Sequence, residues 1–171
     1  MNDDVMRFFE AAFNDFLKTE AKSIVDDVHE QSLCGQLAQR LNSLKPGFGF
    51  DGYHVDTEYN RMKFDVIKKV FREGNTADIR ADLIVHVVGV RDNLLALEVK
   101  KADRSVEGRR KREDDRQRLM AMTTRYDISP GLEHVYDYTL GVFIELDRAM
   151  RTYVVEEFRD GSSLGEKVGN F

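Results

Sequence analysis

Ile79-Arg-Ala-Asp-Leu-Ile-Val-His-Val-Val and Leu94-Leu-Ala-Leu-Glu-Val-Lys are two apolar, β-branched runs, and Gly89-Val-Arg-Asp-Asn between them has the composition of a hairpin loop. Centring that loop on residue 90 sets positions whose numbers sum to 180 face to face, which puts Asp82 directly across from Glu98. Side chains alternate along a strand, so Glu98 and Lys100 share a face and Asp82 projects from the same one. Directly opposed Cβ atoms lie about 4.5–5.5 Å apart. Two like charges at that distance weaken a sheet unless a cation fills the gap. A slip of one residue would undo the whole arrangement.

Upstream, Val5, Phe8, Phe9, Ala12, Phe13, Phe16 and Leu17 recur at helical spacing between Asp3 and Glu20. A second helix is expected from Ser23, with Asp26 completing a weak capping box, and Lys45-Pro46-Gly47 stopping it. It carries Leu33, Leu37 and Leu41, and Glu30 falls on that same apolar stripe. An inward glutamate is uncommon, because an unpaired buried charge is costly. With Asp82 and Glu98 it would make a third carboxylate at one end of the sheet. Hard oxygen ligands of that kind select hard cations such as Mg²⁺ or Mn²⁺. Tyr53 to Asn60 reads as a strand, and Phe64 to Phe71 as a short one ending in the turn Glu73-Gly74-Asn75.

Downstream, a helix is expected over Val106 to Arg125, with Leu119 and Met122 on its apolar side. Two strands follow, Tyr138 to Leu146 and Arg151 to Phe158, around a turn at Asp147. The Gly/Ser-rich residues 160–171 read as a flexible tail. This order predicts an α/β sandwich, a mixed central sheet flanked by helices. Residues 1–22 would be an accessory helix and 23–159 the main domain.

The chain of 171 residues is long enough to bury about 70% of its unfolded surface without a staple. No run approaches the ~20 apolar residues of a membrane span. One cysteine, Cys34, excludes an internal disulfide and a multi-thiolate zinc site, and it suits a reducing cytoplasm. With 26 basic and 31 acidic residues, the protein is not a nonspecific coat for nucleic acid. Residues 100–118 nevertheless hold nine Lys/Arg against five Asp/Glu, so a polyanion would bind beside one local patch. A solvated helix face laced with charge pairs accounts for the same residues equally well.

Asp82, followed by Glu98-Val99-Lys100 at the end of the next strand, resembles the PD-(D/E)xK nucleases, the restriction-endonuclease-like fold. Glu30 on the preceding helix matches the acidic residue many members carry there, and Ser23 to Leu146 follows the αβββαβ order of their core. Ala81 stands where the motif has proline. Glu-x-Lys alone says little, since Glu20-Ala21-Lys22 matches it as well. The resemblance implies metal-dependent phosphodiester hydrolysis on nucleic acid, with DNA favoured over RNA. Asp82, Glu98 and the carbonyl of Val99 would hold Mg²⁺ or Mn²⁺, Glu30 would be an outer or second-metal ligand, and Lys100 would position the attacking water. The alternative is a catalytically silent nucleic-acid- or protein-binding module of a larger complex. The N-terminal helix is a candidate dimerisation or packing element.

Other residues carry weaker readings. Arg109, Arg110 and Lys111 at a helix start oppose its dipole, a small argument for a bound anion. Asp114 and Gln117 could reach a substrate backbone, although simple surface charge is favoured. Glu58 fits a solvated strand face, His86 a core or edge histidine, and Cys34 a small buried hydrophobe.

Overall fold

The computed structural model describes residues 2–57, 69–72, 75–78, 81–88, 90, 92–125 and 137–171, with 69–72 and 75–78 described by their backbone alone. Helices α1 (Asn2–Val25) and α2 (Glu30–Leu44) come first, and a 3₁₀ turn at Lys45–Phe48 ends α2. Strand β1 (His54–Thr57) follows, then β2 (Lys69–Arg72) and β3 (Asn75–Asp78), which pair only with each other. Next come β4 (Leu83–His86), β5 (Asn93–Lys101), α3 (Val106–Thr123), β6 (Tyr138–Asp147), β7 (Thr152–Arg159) and β8 (Ser162–Asn170). The large sheet has six strands in the order β1-β4-β5-β6-β7-β8. Its β5–β6 pair is parallel and the other pairs are antiparallel. A parallel neighbour requires a crossover, and α3 supplies it.

Two packed layers follow from strand alternation. Leu83, Val85, Leu95, Leu97 and Val99 point into the core shared with α1 and α2. Ile84 and Ala96 point the other way, onto Leu119 and Met122 of α3. Gly141 lets α3 approach β6 closely, since a Cβ there would lie 3.0 Å from the Thr123 methyl. The predicted mixed sheet flanked by helices is therefore the observed architecture, with α1 and α2 on one face and α3 on the other. No described helix is long and apolar enough to cross a membrane.

Three boundaries differ from expectation. The first helix runs through Ser23 to Val25, because its buried stripe continues to Ile24 and Ser23 bonds Glu20 instead of capping. Asp27, at φ 63°, reverses the chain, and the His29 side chain caps α2 by accepting from the Gln31 N–H. The division at residue 22 thus falls inside a helix whose phenylalanines belong to the main core, so α1 is not an appendage. Its apolar stripe is buried within the chain.

The second difference is the C-terminal tail, which forms β8. Asp160 and Gly161 both take positive φ, 48° and 75°, and Arg159 pairs with Ser162 across them. That is a two-residue hairpin with the Asp-Gly sequence such turns favour. The third lies before β4. Within the stretch read as a strand from Phe64, only β2 is described, and it pairs with β3 at Asn75–Asp78. Residues 58–68, with Glu58, Asn60 and Phe64, lie outside the described residues, as do Glu73, Gly74 and Pro130.

Candidate functional site

The β4–β5 ladder pairs Leu83 with Leu97, Ile84 with Ala96 and Val85 with Leu95, the register that centring the loop on residue 90 predicts. Asp82 sits just before β4, so it stands at the next step of the ladder, beside Glu98. Its Oδ2 accepts the Val99 N–H at 2.9 Å and Lys100 Nζ at 3.1 Å. Alternation then sends Glu98 and Lys100 towards α3, where Asp115 and Arg118 meet them.

Glu98 is fully buried. Arg118 bonds its Oε1, while its Oε2 accepts no hydrogen bond among the described residues and lies 3.8 Å from Lys100 Nζ. Asp115, 5% exposed, repeats the pattern. Its Oδ1 takes Arg118 at 2.8 Å, and its Oδ2, 3.7 Å from Lys100 Nζ, accepts no hydrogen bond among the described residues. Three acids and two bases therefore interleave, with the Lys100 ammonium in reach of all three carboxylates.

Burial pushes the Glu98 carboxyl well above the usual range and Asp82 adds to this, while Arg118 pulls it back. Burial likewise raises Asp115, against the pull of Lys100 and Arg118. For Lys100 burial works against the charge, yet Asp82, Glu98 and Asp115 more than offset it, and the ammonium is held more tightly than an ordinary lysine's. Arg118 follows the same logic, with Glu98 as its main partner.

Glu30 enters from the opposite layer. As the first residue of α2 it is half-buried, favours the helix dipole, and accepts the Lys101 N–H at 3.2 Å. It lines a cavity of about 410 Å³ with His29, Gln31, Cys34, Thr57 and Asp82. Glu30 and Glu98 approach Asp82 from opposite layers of the fold. Asp82 stands between the two regions, and the third acid around Lys100 is Asp115. Among the described residues no group of three or more His, Cys, Asp or Glu side chains is arranged to hold a metal ion. The oxygens near Lys100 stand 3.1–3.8 Å from Nζ, the spacing of an ammonium cage. Magnesium needs bonds of about 2.0–2.1 Å. In chemistry the donors do fit a hard cation: they are all carboxylate oxygens, and the Glu98 Oε2 inside the protein accepts no hydrogen bond.

Asp115 was legible by the argument that singled out Glu30. It lies four residues before Leu119 and seven before Met122, on the buried stripe of α3. The crowd of charges from Arg112 to Arg118 hides it. Its neighbour Asp114 and the nearby Gln117 are the residues the sequence reading considers instead. Gln117 bonds Glu113 at 2.8 Å. In the basic stretch Arg110 and Lys111 pair with Glu107, and Arg109 donates to the Arg104 carbonyl. Deeper on α3, Arg112 pairs with Glu145, and Arg116 pairs with Glu156 while stacking over Phe143. Pairing along the helix holds for Arg110 and Lys111, whereas Arg112 and Arg116 tie α3 to the strands.

His86 is buried with its Nε2 2.8 Å from Asp56 Oδ2. Cys34 is buried as expected, its thiol pushed up to about 12 chiefly by burial and then by Asp82. No protein-family model, no curated protein and no solved structure matches the chain. Fold and site define its class directly: a mixed α/β protein with a buried acid–base cluster between its central strands and one helix.

Proposed function

We propose that the protein is a divalent-metal-dependent nuclease of the PD-(D/E)xK type, hydrolysing phosphodiester bonds with DNA as the favoured substrate. One observation carries this reading: Asp82, Glu98 and Lys100 meet at the end of an antiparallel pair, and the buried Glu98 keeps one oxygen without a hydrogen bond among the described residues. A carboxylate so placed costs stability and is better explained by a cation it serves. The order α2, β1, β4, β5, α3, β6, with β2–β3 as an excursion, supports the αβββαβ assignment, since β1, β4, β5 and β6 are neighbours in the sheet.

In this reading Asp82 and Glu98 hold the cation, helped by the Val99 carbonyl, and Glu30 is a further ligand on the cavity side. The cation, Mg²⁺ or Mn²⁺, would neutralise phosphate charge and ease formation of a hydroxide nucleophile. Lys100 orients the attacking water and stabilises charge that develops on the phosphate, as a preorganised cation does. The test is a cleavage assay on linear, nicked, branched and single-stranded DNA and on RNA, with Mg²⁺, Mn²⁺ or chelator. The parent should cut in metal and stop in chelator, and Lys100→Ala should lose about 10²–10³ in rate per folded molecule. A parent inert on every substrate sinks the reading, and a fully active Lys100→Ala removes the lysine from the chemistry.

The second reading is a silent nucleic-acid- or protein-binding module of the same fold. It is favoured by the ion pairs in which Lys100 and Arg118 balance the carboxylates. Binding of nucleic acid that is indifferent to chelator, with no cleavage, would identify it.

A further inference from the structure

We propose that Asp115 is a positioning residue for Lys100, fixing the ammonium from α3 while Asp82 and Glu98 fix it from the sheet; this rests on the nuclease reading of the site. A lysine has a flexible four-carbon stem and a compact charge that one partner cannot aim. Here three carboxylates triangulate it from three elements. Asp82 precedes β4 and lies 3.1 Å from Nζ, Glu98 sits on β5 at 3.8 Å, and Asp115 sits on α3 at 3.7 Å. The sheet alone supplies two of these points, and the third exists only because α3 crosses here.

Asp115 is a poor choice for stability alone. It is 5% exposed, and only its Oδ1 is hydrogen-bonded, by Arg118. Its Oδ2 is buried, has no hydrogen bond among the described residues, and faces the ammonium. A pair selected for stability would satisfy both oxygens or give way to an apolar residue. Arg118 joins Asp115 to Glu98, so one helix turn sets the position of the carboxylate and of the lysine together. Electrostatic stabilisation depends on where the charge stands before reaction. An ammonium held at two points is free to swing about the line between them.

Asp115→Asn keeps the shape and the contact with Arg118, and it leaves two acids facing two bases, so the fold should tolerate it. Its kcat on the substrate the parent cleaves best should fall about 10–100-fold, the cost of misplacing a reacting group by about an ångström, while KM stays within about twofold. In a Lys100→Ala background the same substitution should change kcat no further, because the residue it positions is gone. Asp115→Glu, which restores the charge one methylene away, should recover part of the rate. An equal loss in both backgrounds, or a change confined to KM, overturns the inference and leaves the nuclease reading standing. A parent inert on all substrates overturns that reading and this role with it. Denaturant midpoints of Asp115→Asn, Lys100→Met and the double variant would then show whether the two side chains are coupled at all, and additive midpoints would remove even the contact.

Discussion

The two faces of the sheet solve different problems. On the α1/α2 face the contacts are apolar and aromatic: Phe8 meets Phe50 at 5.3 Å between ring centres, and Phe13 meets Tyr153 edge-on at 5.1 Å. On the α3 face, beside Ile84, Ala96, Leu119 and Phe143, three acids are buried: Glu98, Asp115 and Glu156. Each is matched by an arginine of α3, Arg118 for the first two and Arg116 for the third. Apolar burial contributes stability in proportion to area, whereas a buried ion pair roughly breaks even against a hydrophobic replacement. One face holds the fold together, and the other spends part of that stability on a fixed array of charges.

The largest expected effect tests the first half of this contrast. Phe8→Ala should cost about 3–5 kcal/mol, as a fully buried aromatic does, read as a denaturant midpoint. Any activity per folded molecule should survive. A loss below about 1 kcal/mol would mean that the aromatic layer is not the stabilising one.

Next is Lys100→Met. It removes the ammonium from Asp82 and leaves Glu98 and Asp115 to Arg118, and should cost about 2–3 kcal/mol, less than the ~3–5 of a wholly dry pair because Glu98 can take up a proton. The resemblance gives Lys100 the attacking water to position, and the three carboxylates around it add a structural role. If the variant melts with the parent, the ammonium is not the counter-ion of the cluster.

A smaller effect should appear with pH. Glu98 keeps its proton to higher pH in the folded chain than in the unfolded one. Below the ordinary glutamate range both states are protonated and nothing is lost. As pH rises above that range the unfolded chain ionises first, so stability falls until the folded carboxyl ionises too. Asp115, also raised, acts in the same sense. Melting temperatures from about pH 4 to about pH 8 should show this decline, and Glu98→Gln should flatten it while melting no lower than the parent near neutrality. A Glu98→Gln curve parallel to the parent's would assign the decline elsewhere.

The smallest effect belongs to the exposed side of α3. Arg110 stands in solvent and pairs with Glu107 one turn away. Arg110→Ala should leave the melting temperature unchanged, since such pairs contribute little. A clear drop would extend the charged network to the helix surface.

Much of this was open to reading from residues alone, and the misses have physical causes. The β4–β5 register follows from alternation and a short loop, both local. The Asp160-Gly161 turn was equally local, yet the Gly/Ser composition after it suggests a tail. Strand β8 exposes most of its residues and owes its form to pairing with β7. The end of α1 carries no glycine, because Asp27 takes the left-handed conformation instead. Asp115 obeys the helical stripe but sits among charges that blur it.

The sequence by itself determined the periods: which residues of each strand share a face, that Asp82 stands across from Glu98, and that the first two helices are amphipathic. These depend on backbone geometry repeated every two or 3.6 residues. Only the tertiary structure decided which helix residue meets which strand residue. Glu30 and Asp115 both lie on inward stripes, and nothing local distinguishes them. The crossover from β5 to β6 carries α3 over the face that Glu98 and Lys100 share, while α2 packs on the other face and reaches the strand end at Lys101. Helix placement is a long-range consequence of burying two apolar layers at once, and it made Asp115 the third carboxylate around the lysine.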